Sequence, residues 1–482
     1  MFPLPASHSA RQRWSALILL CLGELMIVLD TTIVNVALPS IRTDLAFSES
    51  ALVWVVNAYM LTYGGCLLLG GRLGDLYGQR RLFVAGVALF TLASLACGLA
   101  QTQALLVVAR AVQGVGGAVV SAVALSLILA LFSEPGERAR AMGVFGFVCA
   151  GGGSIGVLLG GVLTSWLSWH WVFLVNVPVG LAIAAACMRV LPAHPGKADG
   201  QPLDIAGAVT VTTALMLAVY ALVDGNHAGW GSAQTLGLMA ASGALLALFL
   251  WLQARVPAPL LPLALLRLRN LAISNIVGVL WAASMFAWFF LSALYLQRVL
   301  GYSALQVGLA FLPSNLIMAG CSLGASAWLV MRCGIRRTLG GGLLLAAAGL
   351  ALFALAPVAG RFTLHVLPGM LLLGVGAGVA LNPLLLAAMG DVATEDTGLA
   401  SGVVNTAFMM GGALGLAALA SLADARTEHL RSAGASLPAA LHAGYSLAFA
   451  AAAVAALVAA ALGGLALRPK PLGNVPPAAV AH

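Results

Sequence analysis

Hydrophobic positions along this chain gather into long continuous runs, with neither the two-residue alternation of surface strands nor a heptad stripe. Fourteen runs can be drawn, at about 15–39, 51–71, 82–100, 104–131, 140–164, 169–191, 205–224, 235–254, 271–297, 305–330, 338–357, 363–389, 398–422 and 440–467. Each is close to or above the ~20 apolar residues that a helix needs to cross a ~30 Å hydrocarbon layer at 1.5 Å per residue. The pattern therefore predicts an all-α integral membrane protein with fourteen spans. Composition agrees: 61% of residues are hydrophobic and only 8% are charged, against roughly 25% charged in soluble domains.

The loops carry the topology. Placing loops alternately on two sides puts 17 of the 23 Lys and Arg on one side and 5 on the other, with Arg110 left inside a span. The basic side holds Arg11, Arg13, Arg72, Arg80, Arg81, Arg138, Arg140, Arg189, Lys197, Arg255, Arg267, Arg269, Arg332, Arg336, Arg337, Arg468 and Lys470. The positive-inside rule makes that side cytoplasmic, together with both termini. Pro- and Gly-rich linkers at Leu191–Leu203 and Arg255–Asn270 bracket spans seven and eight. The expected division is thus a tail at 1–14, a six-helix bundle at 15–191, linkers and two accessory helices at 192–270, a second bundle at 271–467 and a tail at 468–482.

Charge and cysteine usage narrow the function. The net charge of +8 resides in short loops without a basic stripe or interleaved aromatics, which argues against nucleic acid as a partner. Arg11 and Arg13 imitate a signal-peptide start. The apolar run that follows is too long for such a segment and ends in Ala-Leu-Pro, so it reads as a retained first span. The seven cysteines are scattered without metal-ligand spacing and read as small buried hydrophobes. No phosphate-binding loop, metal cluster or extramembrane domain marks an enzyme or an ATPase. The expectation is a transporter without cofactor, driven by an ion gradient.

Polar residues inside the spans are the candidates for that work, because a charge facing lipid is expensive, at ~2.5–3.5 kcal/mol each on the insertion scale. Glu24, Thr31 and Asn35 share one stripe of the first helix, and Asp30 lies about 120° to one side. Asp30 stands roughly 13 Å in from Pro39, and Arg110 roughly 9 Å in from Ala104, depths compatible with contact. Two readings are open: a titratable carboxylate released by proton or substrate, or a permanent ion pair holding spans one and four together. Glu24 is a second proton or cation site, or a carboxylate hydrated through the cavity. Trp281 and Met285 belong to an aromatic and Met-bearing run in span nine that suits either a promiscuous pocket or packing. Trp54, Tyr59, Gln113 and Asn275 are further lining candidates.

An internal repeat relates the two bundles. Gly71-Arg-Leu-Gly-Asp75-Leu-Tyr-Gly78-Gln-Arg80-Arg81 follows span two, and Gly78, Arg80 and Arg81 map onto Gly334, Arg336 and Arg337 after span ten. Eight spans separate the copies, so the halves are parallel. Asp75 becomes Met331.

Four motifs resemble the fourteen-span drug:proton antiporters of the major facilitator superfamily. Leu29-Asp30-Thr-Thr-Ile-Val-Asn35-Val-Ala-Leu-Pro39 is similar to the first-helix signature of that branch. Gly71–Arg81 resembles the superfamily's cytoplasmic gate, and Arg110-Ala-Val-Gln113-Gly114-Val-Gly116 its fourth-helix Arg motif. Trp169-His-Trp171-Val-Phe173-Leu-Val-Asn176-Val-Pro178 resembles the start of span six. The fifth-helix antiporter motif departs at one place, where Val157 stands for the proline associated with antiport. The resemblance implies paired six-helix bundles that alternate access to a midplane site. It also implies proton-coupled multidrug efflux through a bacterial inner membrane. In that reading Asp30 and Glu24 carry protons and Arg110 tunes them. Thr31, Asn35, Trp54, Tyr59, Gln113, Asn275, Trp281 and Met285 meet a hydrophobic or cationic substrate. Gly71, Asp75, Gly78, Arg80 and Arg81 form the cytoplasmic gate. A dedicated exporter of one metabolite, siderophore or biosynthetic product, or a non-transporting membrane sensor, are the alternatives. A periplasmic adaptor would leave no mark in this sequence.

Overall fold

The structure, a computed structural model, describes residues 10–48, 51–132, 134–191, 204–257, 259–358, 360–392 and 397–468. Among these residues every regular element is helical. The helices are α1 (Ala10–Asp44), α2 (Trp54–Tyr77), α3 (Gln79–Gly98), α4 (Gln103–Leu131), α5 (Pro135–Trp166), α6 (Trp171–Leu174), α7 (Asn176–Val190), α8 (Ile205–Ala228) and α9 (Ala233–Gln253). They continue as α10 (Arg269–Arg298), α11 (Ala304–Gly320), α12 (Ser326–Cys333), α13 (Ile335–Ala354), α14 (Leu367–Met389), α15 (Thr397–Ser432) and α16 (Leu437–Ala461). Helices dominate because lipid offers no partners for backbone N–H and C=O groups, which must be satisfied within the segment.

Among the described residues twelve segments are long and apolar enough to cross a membrane, and α2 and α5 add shorter apolar stretches, Ala51–Leu67 and Ile155–Trp166. Two predicted runs are interrupted. The sixth is split at Val175 into α6 and α7, and the tenth passes through a π-turn at Cys321–Ala325 between α11 and α12. The first runs on past Pro39 to Asp44, with Pro39 inside the helix.

Loop contacts join ends that the charge sorting puts on the same side. On the basic side, Arg13 pairs with Glu137 at 2.7 Å, and Asn270 donates to Asp391 at 2.7 Å. On the other side, Gln103 donates to the Leu45 carbonyl at 3.0 Å and Trp169 to Asp44 at 2.9 Å.

Helices α1–α7 and α10–α16 form two bundles, with the α8–α9 hairpin resting on α2 and α15. Glycines set the closest approaches within each bundle. A Cβ at Gly116 on α4 would lie 2.7 Å from the Phe90 nitrogen of α3, and one at Gly376 on α14 would lie 2.6 Å from the Ala346 nitrogen of α13. Gly114 meets the Tyr59 carbonyl at 2.4 Å in the same sense, and Gly374 the Ser314 carbonyl at 2.5 Å. These contacts extend the repeat from one loop to whole helices. They also explain its register: Ser314 lies 255 residues after Tyr59, whereas Gly334 lies 256 after Gly78, and the π-turn between them absorbs the extra residue.

The bundles meet through α1 with α10, α2 with α15 and α5 with α11. The last two pairs exchange under the eight-span repeat. Bonds across this interface lie on the side away from the basic loops: Gln297 Nε2 to the Val36 carbonyl at 3.0 Å, and the Leu305 N–H to Ser165 Oγ at 3.1 Å. Asn57 Nδ2 bonds the Ala413 carbonyl at 2.9 Å between α2 and α15.

Candidate functional site: a buried carboxylate network in the N-terminal bundle

Asp30 is fully enclosed, and side chains from α4 and α7 converge on it. Arg110 Nη1 donates to Asp30 Oδ2. Gln113 Nε2 donates to Asp30 Oδ1 at 2.8 Å, and Asn176 Nδ2 donates to the same oxygen at 3.1 Å. Ser94 Oγ of α3 accepts from Gln113 at 2.6 Å and from Asn176 at 3.4 Å. Arg110 is held from its other edges. Its Nε donates to the Val55 carbonyl of α2 at 2.9 Å and its Nη1 to Gln113 Oε1 at 2.7 Å. The guanidinium carbon stands 4.4 Å from the Tyr59 ring centre and 5.6 Å from that of Phe173.

Local sequence explains the convergence. Arg110 and Gln113 are three residues apart on α4 and so share one face. The amide of Gln113 has a single sensible orientation, with oxygen toward the guanidinium and nitrogen toward the carboxylate. A buried pair of this kind is stable only when its remaining donors and acceptors are filled. Here they are filled from four helices, α2, α3, α4 and α7. Protonating Asp30 would replace an acceptor-only carboxylate by a group that also donates, and would loosen Arg110, Gln113 and Asn176 together.

Glu24 lies nearer the basic-loop side of α1, also buried. Its partner is Ser121 of α4, whose Oγ donates to Glu24 Oε2 at 2.8 Å. The sequence offers Glu24 no partner, since one serine in an apolar run carries no signal. Ser94 escaped for the same reason. Asn176 sits inside the Trp169–Pro178 motif, but nothing in the sequence connects it with Asp30.

The other predicted residues divide. Gln113 and Tyr59, expected along a substrate path, are buried within the Asp30–Arg110 cluster. Thr31 and Asn35 bond backbone carbonyls of their own helix, Val28 at 2.8 Å and Thr31 at 3.2 Å. Trp54 is half-buried, its ring 6.4 Å from Tyr220 on the accessory helix α8. On α10, Asn275 donates to the Leu271 carbonyl at 2.9 Å while its Oδ1 has no partner among the described residues. Trp281 is buried and Met285 half-buried.

The loop motif is anchored within its own bundle. Gly78 takes φ +93°, a turn that favours glycine. Arg80 Nη2 donates to the Met188 carbonyl at the end of α7, in its own bundle. In the second copy Gly334 takes φ +80°, and Arg336 donates to the Gly464 carbonyl beyond α16 at 3.1 and 2.9 Å. Both arginines therefore hold the terminal carbonyls of the last helix of their own bundle, where a cation is favoured. Arg81 is exposed, and a Cβ placed at Gly71 would meet only Ala122, at 4.0 Å, among the described residues. The Asp75 side chain lies outside the described residues. Val157, at the departed proline position, is buried on α5 with its carbonyl 3.0 Å from a Cβ placed at Gly308 of α11.

A buried ion pair between the first and fourth spans, in paired bundles with a repeated glycine turn, is the geometry the first-helix and Arg motifs imply. The sequence profile of the Major Facilitator Superfamily matches residues 20–416. The chain belongs to this superfamily. Two relatives are similar over most of their length. The puromycin resistance protein pur8 of Streptomyces alboniger is 39% identical over 446 residues, which is 91% of this chain and 88% of that protein. The cephamycin export protein CmcT of Amycolatopsis lactamdurans is 39% identical over 419 residues, 86% of each. Among solved structures, a bacterial homolog of the human lysosomal transporter Spinster, inward-facing and unoccupied, superposes with a TM-score of 0.67 at 18% identity. That superposition covers 95% of this chain and 98% of the other, and it shows the fold. As a major facilitator protein the chain is a membrane transporter of small molecules and not an enzyme.

Proposed function

We propose that this transporter exports hydrophobic small molecules, lipophilic cations among them, across a bacterial inner membrane in exchange for protons. The observation that carries the reading is the Asp30–Arg110 pair: a carboxylate with no exposed surface that accepts hydrogen bonds from side chains of α4 and α7. The relatives named for puromycin resistance and cephamycin export support the direction of transport. With α2 and α5 counted, the chain crosses the membrane fourteen times in a 6+2+6 layout with both termini cytoplasmic. Glu24 is the second proton group, and Asp75 acts at the cytoplasmic gate.

Proton arrival at Asp30 weakens its hold on Arg110, Gln113 and Asn176, so the N-terminal bundle can rock against the other. Contacts between the bundles lie away from the basic loops, which supports a resting state open to the cytoplasm. A dedicated exporter of one natural product is the second reading, favoured by relatives named for single antibiotics. The test is proton movement in liposomes on addition of puromycin or ethidium, for the wild type and Asp30→Asn. Coupled flux in the wild type that disappears in Asp30→Asn sustains the reading. Coupling that persists in the variant removes Asp30 from it. Flux for one compound alone selects the dedicated exporter.

A further inference from the structure

The N-terminal bundle holds a polar group that the network leaves out. Tyr59 on α2 is buried, and its hydroxyl has no hydrogen-bond partner among the described residues. Its ring lies under Arg110 and stacks on Tyr63, with centroids 5.8 Å apart. The hydroxyl itself points at a bare patch of α4: a Cβ added at Gly117 would come within 2.9 Å of Tyr59 Oη.

That patch lies between the two carboxylate sites. Arg110, Gly117 and Ser121 follow one another along one face of α4 at i, i+7 and i+11. Arg110 holds Asp30, and Ser121 holds Glu24. Gly117 is about 6 Å along the axis from Ser121 and about 10 Å from Arg110. The phenol thus reaches from the Arg110 guanidinium toward the Glu24–Ser121 pair.

An unpaired buried hydroxyl weakens the fold, and phenylalanine would fill the same space without that penalty. A hydroxyl kept in such a place is explained if it finds partners in another state. We propose that the Tyr59 hydroxyl is the stepping stone by which a proton passes between Glu24 and Asp30. The inference rests on the proton-exchange reading above. When the cavity hydrates, water in the Gly117 notch links the phenol to each carboxylate. Oη takes a proton from the side of the protonated acid and releases its own toward the ionised one. The phenol is regenerated, and one proton moves from carboxylic acid to carboxylate.

Tyr59→Phe separates this role from simple packing, because it keeps the ring beneath Arg110 and deletes only the hydroxyl. In proteoliposomes carrying an internal pH dye, with puromycin or ethidium as probe, Tyr59→Phe should slow proton-coupled export on the order of tenfold. The thermal midpoint should not fall. The wild-type rate should drop in D2O, and the variant should lose part of that isotope effect. Gly117→Ala, which crowds the notch while leaving the hydroxyl, should also slow coupled export. Wild-type coupled rates and isotope effects in Tyr59→Phe would overturn the stepping stone while leaving proton exchange standing. A wild type that moves no protons with either probe would overturn both, so the two failures are distinguishable.

Discussion

The two bundles share a backbone plan and differ in what they bury. Gly114 with Tyr59 and Gly374 with Ser314 are the same close approach, and Arg80 and Arg336 perform the same capping. Extending the 260-residue interval that links Gly114 to Gly374 places Met370 at the position of Arg110 and Leu373 at that of Gln113. Ser94 corresponds to Leu350 by the 256-residue interval that carries Phe90 to Ala346. The C-terminal bundle keeps neutral partners instead: Ser314 Oγ donates to the Met370 carbonyl at 2.8 Å, and Ser284 Oγ to that of Ala452 at 2.9 Å. At the positions equivalent to Arg110, Gln113 and Ser94 the C-terminal bundle therefore carries apolar residues, so the repeated scaffold does not repeat this ion pair. Packing needs only small residues at fixed places, whereas a buried charge needs a complete set of partners.

The largest expected effect breaks that asymmetry. Arg110→Met, which installs the residue of the equivalent position, leaves Asp30 buried and unpaired. It should destabilise the protein by about 3–5 kcal/mol, read as thermal unfolding in detergent. Combining it with Asp30→Asn should recover much of the loss, since no net charge then remains in the site. Additive losses in the double variant would show that the pair is not the source of the effect.

Next come the shared approaches. Gly114→Ala and Gly374→Ala each force a methyl against a neighbouring carbonyl and should cost about 1–3 kcal/mol apiece. Similar losses at both sites would confirm that packing is symmetric where charge is not. A smaller effect tests the repeated loop. Arg80→Ala and Arg336→Ala should each remove about 1 kcal/mol of stability by freeing the carbonyls they hold. A large transport defect from Arg80→Ala at unchanged stability would instead place Arg80 in the working gate. Smallest is Gly320→Ala, where nothing lies within 4 Å of the added Cβ. It should stabilise the helix by roughly 0.5 kcal/mol.

The helical runs and the parallel repeat were legible because each depends on a local property: the transfer of a contiguous segment into lipid, or a turn that requires glycine. Asp30 and Arg110 could be paired by depth, since both positions are measured along a helix axis. Their further partners could not. Asn176 and Ser94 reach Asp30 and Gln113 from α7 and α3, and Ser121 reaches Glu24 from α4. Serine and asparagine in apolar runs look alike whether they bond their own helix, as Asn35 does, or another.

The sequence by itself therefore determined that this chain spans a membrane and which charges it carries inside the spans. Tertiary structure decided which way those charges face. It placed Gln113 in the ion-pair network, turned Arg80 toward its own bundle, and left the Tyr59 hydroxyl beside Gly117. The reason is geometric. Insertion into lipid is fixed by the residues of one segment, while a hydrogen bond between spans depends on how helices far apart in the chain are rotated against one another.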